Sequence, residues 1–239
     1  MPGHDLLAPL AEAPDRSALI FDVDGTLSPI APRPELAAVP DETRGELRRL
    51  VSRYELVACV SGRAGADARR LVAIDGIEYV GNHGLDLHPQ AETLAAEMAR
   101  FRDSIALPVE DKGVTLAYHY RDAPDEEAAR AQLELVAERA RAAGLDARGG
   151  RKVLEIRPRV DADKGTAVLA LLARSGATRA LYTGDDTTDL DAFRGLAEAE
   201  LEHAVRVAVA SAEGPRELED AADIVVGGPS ELVDLLRTL

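Results

Sequence analysis

Five acids, a serine and a lysine in this sequence could do chemistry together. Asp22 and Asp24 follow a short apolar run, Ser17–Phe21, and Asp185, Asp186 and Asp189 follow another, Arg179–Thr183. Ser61 closes a third run with Gly62 and Arg63 behind it. Asn82 and His83 close a fourth, and Lys164 opens an apolar helical stretch. Three or four carboxylates that meet at one place repel one another unless a hard cation sits among them. Oxygen-only ligands suit Mg²⁺, which takes one or two carboxylates, waters and the oxygens of a substrate phosphate. The acid cluster thus predicts a metal at Asp22, Asp24, Asp185 and Asp189, and the metal predicts an anionic ligand. Ser61, backbone N–H groups near Gly62, and Lys164 at the positive end of its helix complete a phosphate site. Within such a site one aspartate can attack phosphorus to give an acyl phosphate. Its partner two residues on can protonate the leaving alcohol and then activate water. The one cysteine, Cys59, falls on an apolar strand pattern and reads as core packing.

These residues share a site only if the fold brings them to one rim. Ligands of an open parallel sheet bind beyond the carboxyl ends of its strands. The apolar runs Ser17–Phe21, Glu55–Val60, Ile77–Val80, Arg179–Thr183, Val205–Ala210 and Asp223–Val226 read as such strands. Helices are expected after Pro40 and over Ala64–Val72, Thr166–Arg174 and Pro229–Leu239. The middle of the chain differs. Helical stretches at Gln90–Ile105 and Pro124–Ala143 alternate with two hairpins. One spans Val109–Arg121 and turns at Asp111-Lys112-Gly113; the other spans Leu145–Pro158 and turns at Gly149-Gly150. The expected architecture is a Rossmann-like α/β core with a parallel sheet, from residues 1–86 and 160–239, interrupted by an α+β insertion at 87–159.

Composition narrows the function. The 239 residues carry 28 Lys+Arg against 43 Asp+Glu, a formal net charge of −15, and 46% are hydrophobic. That apolar share excludes wholesale disorder, and the negative charge argues against a nucleic-acid partner. A single cysteine excludes an internal disulfide and a Cys-rich zinc site. No secretory signal opens the chain and no run approaches the ~20 apolar residues that span a bilayer. The expectation is an acidic, cytoplasmic monomer whose partner is a small molecule, with no membrane and no nucleic acid.

Asp22-Val-Asp-Gly-Thr, Ser61, Lys164 and Gly184-Asp-Asp-Thr-Thr-Asp occur in the order of the four motifs of the haloacid dehalogenase superfamily, which the chain resembles. The insertion is similar to that superfamily's C2-type cap. Thr26-Leu-Ser-Pro-Ile, Ser61-Gly-Arg, Gly81-Asn-His-Gly, Glu110-Asp-Lys-Gly with His119-Tyr-Arg, and Glu155-Ile-Arg-Pro resemble one branch, the trehalose-6-phosphate phosphatases. The resemblance implies Asp22 as nucleophile and metal ligand. It implies Asp24 as general acid/base, bound to the metal through its carbonyl. Asp185 becomes the direct carboxylate ligand and Asp189 its support. Asp186 stays open, as metal group or helix cap. Ser61, Gly62 and Lys164 would hold the phosphoryl group, and Arg63, Asn82, His83, Lys112, His119 and Glu155 would meet the substrate. The implied reaction is Mg²⁺-dependent hydrolysis of trehalose 6-phosphate, the last step of trehalose biosynthesis. The alternatives are another sugar phosphate, such as sucrose phosphate or mannosyl-3-phosphoglycerate, or a non-catalytic binding module on the same fold.

Overall fold

The structure is a computed structural model and describes residues 4–121, 123–150, 152–211 and 214–239. The chain divides into two compact units, one built from the segments up to Leu87 and from Ala162 to Leu239, the other from His88–Asp161. Residues 1–3 of the expected core lie outside the described residues.

The first unit is a parallel sheet with helices around it. Its strands are β1 (Ser17–Phe21), β2 (Leu56–Val60), β3 (Glu78–Val80), β8 (Arg179–Gly184), β9 (His203–Val209) and β10 (Ile224–Val226). They lie in the order β10-β9-β8-β1-β2-β3, every pair parallel. β1 is therefore central, flanked by β2 and by β8 from the far half of the chain. Successive residues of these strands feed two cores. Leu19, Phe21, Val57, Cys59 and Leu181 pack on one face, and Ala18, Ile20, Ala58, Val60 and Tyr182 on the other. Burial on both faces explains why the strands read as unbroken apolar runs. Cys59 is fully buried among them, as a packing role requires.

The helices of this unit are α1 (His4–Glu12), α2 (Asp41–Val51), α3 (Gly65–Val72), α6 (Lys164–Arg174), α7 (Asp189–Glu198), α8 (Arg216–Ala221) and α9 (Pro229–Leu236). α1 and α8 were not anticipated, and α7 entered only as the helix that Asp186 could cap. α7 hides in sequence because its first turn is the acid motif itself.

The second unit stacks two helices, α4 (Ala91–Asp103) and α5 (Glu126–Ala142), on a sheet of order β4-β5-β7-β6. β4 (Glu110–Asp111), β5 (Leu116–His119), β6 (Asp146–Gly150) and β7 (Val153–Arg157) pair antiparallel throughout. Leu116, Tyr118, Leu154 and Ile156 join Met98, Phe101, Val136 and Ala140 in its own core. The second hairpin does not turn where its glycines stand. Gly149 and Gly150 remain in β6, paired with Leu154 and Val153, and Lys152 takes the left-handed turn conformation at φ 60°. Ladder hydrogen bonds with β7 carry the strand two residues past the point where local glycine preference would end it.

Candidate active site

β1 ends at Phe21, and Asp22 continues its ladder by donating its N–H to the Thr183 carbonyl at 2.8 Å. The carboxylate of Asp22 is thereby fixed at the sheet rim, buried. Lys164 reaches it from the first residue of α6, Nζ to Oδ1 at 2.8 Å, and also reaches Asp189 Oδ1 at 2.7 Å. A cation at a helix N-terminus opposes the helix dipole, so the two carboxylates, not helix preference, hold Lys164 there. Asp163 caps the helix just ahead, taking the Thr166 N–H at 2.8 Å. Burial alone would lower the Lys164 pKa, but Asp22 and Asp189 outweigh it and hold the ammonium above its usual range.

Asp189 is the most enclosed acid. Its Oδ1 takes the Tyr182 hydroxyl at 2.7 Å beside Lys164, and its Oδ2 takes the backbone N–H groups of Asp185 and Asp186, each at 2.9 Å. Tyr182 is a functional neighbour that sequence reasoning missed. It reads only as another apolar strand residue, and nothing local marks its hydroxyl.

Asp185 leaves β8 facing Asp22. Thr26 donates to its Oδ1 at 3.2 Å, and a Cβ on Gly25 would lie 1.9 Å from its Oδ2. Gly25 also has φ +84°, which L side chains rarely adopt, so position 25 requires glycine twice over. Oxygens of Asp22, Asp185 and Asp189 lie within 4.8 Å of one another. Burial lifts the Asp22 carboxyl to about 7, with Lys164 pulling down and Asp189 pushing up. Burial, then Asp22 and Asp189, lift Asp185 to about 8. Three clustered carboxylates against one lysine leave negative charge uncompensated, and the donors are all oxygen. The residues present therefore fit a hard divalent cation such as Mg²⁺.

Asp24 is two residues beyond Asp22 on the turn closed by the Gly25 N–H to Ser28 carbonyl bond at 2.7 Å. Both its oxygens are taken by Arg63, Nε to Oδ2 and Nη2 to Oδ1, each at 2.6 Å. Ser61, buried at the end of β2, accepts the Arg63 backbone N–H on Oγ at 3.1 Å. The loop after β3 is tied to this one: Asn82 N–H donates to the Arg63 carbonyl at 2.7 Å and His83 N–H to the Ser61 carbonyl at 3.0 Å. The His83 ring lies against Gly62, where a Cβ would sit 2.7 Å from it. Asn82 and His83 both have φ 53°, a strained pair of left-handed residues. Asp86, also missed in sequence, holds that strain by accepting Gly81 N–H at 2.9 Å, Gly65 N–H at 3.2 Å and Asn82 Nδ2 at 2.8 Å. Its signal would have been the acid four residues past Asn82 in a glycine-rich turn.

Asp186 is exposed and takes the Thr187 N–H at 2.6 Å, a local turn role. Lys112, His119 and Glu155 belong to the second unit. His119 Nε2 and Glu110 Oε2 are 2.7 Å apart, and Glu155 stands opposite Ala117 and Arg148 in the ladder. His119, Glu155 and Glu110 share the sheet face turned away from α4 and α5, since their neighbours Leu116, Tyr118, Leu154 and Ile156 fill the helix-side core.

Solved structures share this fold, haloacid dehalogenase-like hydrolases among them. One such hydrolase, from Bacteroides thetaiotaomicron, superposes with a TM-score of 0.60 at 16% identity, over 92% of this chain and 98% of its own. The structure of a trehalose-6-phosphate phosphatase related protein superposes more closely, with a TM-score of 0.70 at 23% identity over 92% of this chain and 95% of that one. The family model for trehalose-phosphatase matches residues 20–101 and 91–223, and the chain belongs to that family. A trehalose-phosphate phosphatase of Mycolicibacterium paratuberculosis is 40% identical over 202 residues, 74% of this chain and 50% of that protein. The chain spans about half the length of the curated relatives it matches. Among the described residues no helix is long and apolar enough to cross a membrane.

Proposed function

We propose that this chain is a Mg²⁺-dependent phosphomonoesterase that hydrolyses trehalose 6-phosphate to trehalose and phosphate, closing trehalose biosynthesis. The observation that carries the reading is the buried Asp22–Lys164–Asp189 triad with Asp185 beside it, in a chain of the trehalose-phosphatase family. Asp22 Oδ1 faces Lys164, and its other oxygen attacks phosphorus. The bond to the leaving sugar oxygen breaks, Asp24 gives that oxygen a proton, and an acyl phosphate remains on Asp22. Asp24, now a base, takes a proton from water as the water oxygen attacks phosphorus. The P–O bond to Asp22 breaks and the carboxylate is regenerated. Lys164, Ser61 and backbone N–H groups near Gly62 hold the phosphoryl oxygens. Asp22, Asp185 and the Asp24 carbonyl would hold Mg²⁺, with Asp189 supporting them. The cation, when bound, neutralises charge so that a carboxylate can approach a phosphate dianion. Asn82, His83, Lys112, His119 and Glu155 are proposed on the substrate side, and Arg63 beside Asp24. In this reading the chain works in the cytoplasm as a monomer.

Phosphate release from trehalose 6-phosphate, sucrose phosphate, mannosyl-3-phosphoglycerate and glucose 6-phosphate, with Mg²⁺ or with EDTA, tests the reading. Trehalose 6-phosphate should be preferred, EDTA should stop release, and Asp22→Asn should abolish it while the chain stays folded. A stronger preference for another ester defeats the substrate assignment, and an unchanged rate in Asp22→Asn defeats the nucleophile. His119→Ala should weaken the preference for trehalose 6-phosphate, and an unaltered ranking would remove His119 from the substrate side.

A further inference from the structure

Nε and Nη2 of Arg63 both reach the Asp24 carboxylate. We infer that Arg63 is the positioning residue of the general acid/base, acting on the leaving-group half of the reaction through Asp24; this rests on the phosphatase reading above.

Nε and Nη2 take the two oxygens of Asp24 in a planar fork, each at 2.6 Å. Such a bidentate pair fixes both the place and the plane of a carboxylate, which a single point charge cannot do. Asp24 needs that constraint. It lies on a loop, its side chain is 39% exposed, and the next residue is a glycine at φ +84°. Apart from Arg63, no hydrogen bond holds its side chain among the described residues. Asp22, by contrast, is buried and held by Lys164. Two carboxylates of one motif are thus fixed by two different cations.

Arg63 is itself well anchored. Its N–H bonds Ser61 Oγ, its carbonyl takes the Asn82 N–H, and its side chain is 18% exposed. The anchor runs through Ser61, so the geometry of the phosphate loop is passed to the group that must deliver a proton. A misplaced acid costs most when the leaving oxygen is strongly basic. A sugar alkoxide leaves badly without a proton, whereas p-nitrophenolate leaves readily as the anion.

The test measures kcat and KM at saturating Mg²⁺ on trehalose 6-phosphate and on p-nitrophenyl phosphate. It compares wild type, Arg63→Ala, Arg63→Lys, Asp24→Asn and the Arg63→Ala/Asp24→Asn double variant, each checked for folding by circular dichroism. In Arg63→Ala, kcat on the sugar ester should fall on the order of 10²-fold. The fall on the aryl ester should be at least about tenfold smaller, with KM for the sugar ester within a few-fold of wild type. Asp24→Asn should show the same skew, and the double variant should lie no lower than Asp24→Asn alone, as groups acting as a unit do. Arg63→Lys should keep the charge, lose the fork and give an intermediate skew. Arg63→Lys also carries the test if the alanine variant fails to fold. Equal losses on both esters would make Arg63 a phosphate holder and overturn the inference. So would a raised KM with kcat intact, the mark of a substrate contact, or additive losses in the double variant. A wild-type protein that releases phosphate from neither ester overturns the phosphatase reading and this inference with it. Wild-type turnover without skew in Arg63→Ala sinks the inference alone.

Discussion

Asp189 takes four hydrogen bonds, two on each oxygen, and is fully buried. Asp185 takes one side-chain bond, from Thr26, and faces two other acids. The two should respond to the same substitution with opposite signs. Asp189→Asn places an amide among four donors and leaves buried donors without an acceptor. It should destabilise the chain by about 3–5 kcal/mol, the cost of breaking a buried charged pair, read as a lower denaturant midpoint. Asp185→Asn removes a repelled charge. It should raise the melting temperature of the metal-free protein at pH 8, end phosphate release and abolish the stabilisation by added Mg²⁺. A lower melting temperature in Asp185→Asn at pH 8 would contradict the crowding argument.

Asp22 and Asp185 also set a pH dependence. Their pKa values rise on folding from 3.8 to about 7 and about 8. Between the unfolded and folded values the native chain binds more protons than the unfolded one, so stability falls as pH rises. The metal-free wild type should lose melting temperature from about pH 4 to pH 8 relative to Asp185→Asn. Mg²⁺ should restore it most at the upper end, where both carboxylates must be charged. A difference between the two proteins that stays flat across this range would refute the shift.

At the scale of elements, what sets Lys164 against Asp189 is the closeness of α6 and α7. A Cβ on Gly195 would lie 2.4 Å from the Gly165 carbonyl oxygen, and one on Gly165 would lie 2.3 Å from that of Asp191. Gly195→Ala should therefore force the helices apart. A destabilisation of about 1–3 kcal/mol is expected for overpacking, with a fall in kcat as the Lys164–Asp189 distance opens. Gly45, within α2, is the contrasting case: a Cβ there would meet no atom within 4 Å. Gly45→Ala should stabilise by ~0.5–1 kcal/mol through helix propensity and leave kcat unchanged. Denaturant melts and initial rates of the pair decide the point; if both variants behave alike, close helix packing is not what places Lys164.

Elements were legible in sequence where burial writes itself as composition. β1, β2 and β8 are apolar runs that end abruptly at Asp22, Ser61 and Asp185, so strand and site could be read together. The acids were found because they follow such ends, and Lys164 because it opens the apolar stretch of α6. Arg63 could be seen but its partner could not, since the bond to Asp24 spans 39 residues and depends on two loops meeting. Tyr182 was missed because it reads as one more apolar strand residue, and Asp86 because its carboxylate works by closing a turn onto Gly81, Asn82 and Gly65. The Gly149-Gly150 turn was misplaced because cross-strand pairing with β7 overrode the local signal. Sheet order followed only once register was known, because six similar apolar runs do not say which is central.

For the whole molecule, the central fact is that β1 pairs with β2 on one side and with β8, more than 150 residues later, on the other. Asp22 and Asp185 leave adjacent strands contributed by opposite halves of the chain, so the acid cluster exists only when the first unit is assembled. The second unit has its own apolar cluster and contributes none of these acids. A ligand stabilises the cooperative unit that binds it. Mg²⁺ added to chelated protein should therefore slow amide exchange in β1, β8 and the first turn of α6, while β5, β7 and α5 exchange as before. Hydrogen–deuterium exchange read by mass spectrometry at pH 7.5 measures this directly. Protection spread evenly over both units would mean that they unfold as one, and that the cation is held by more than the cluster at the rim of the parallel sheet.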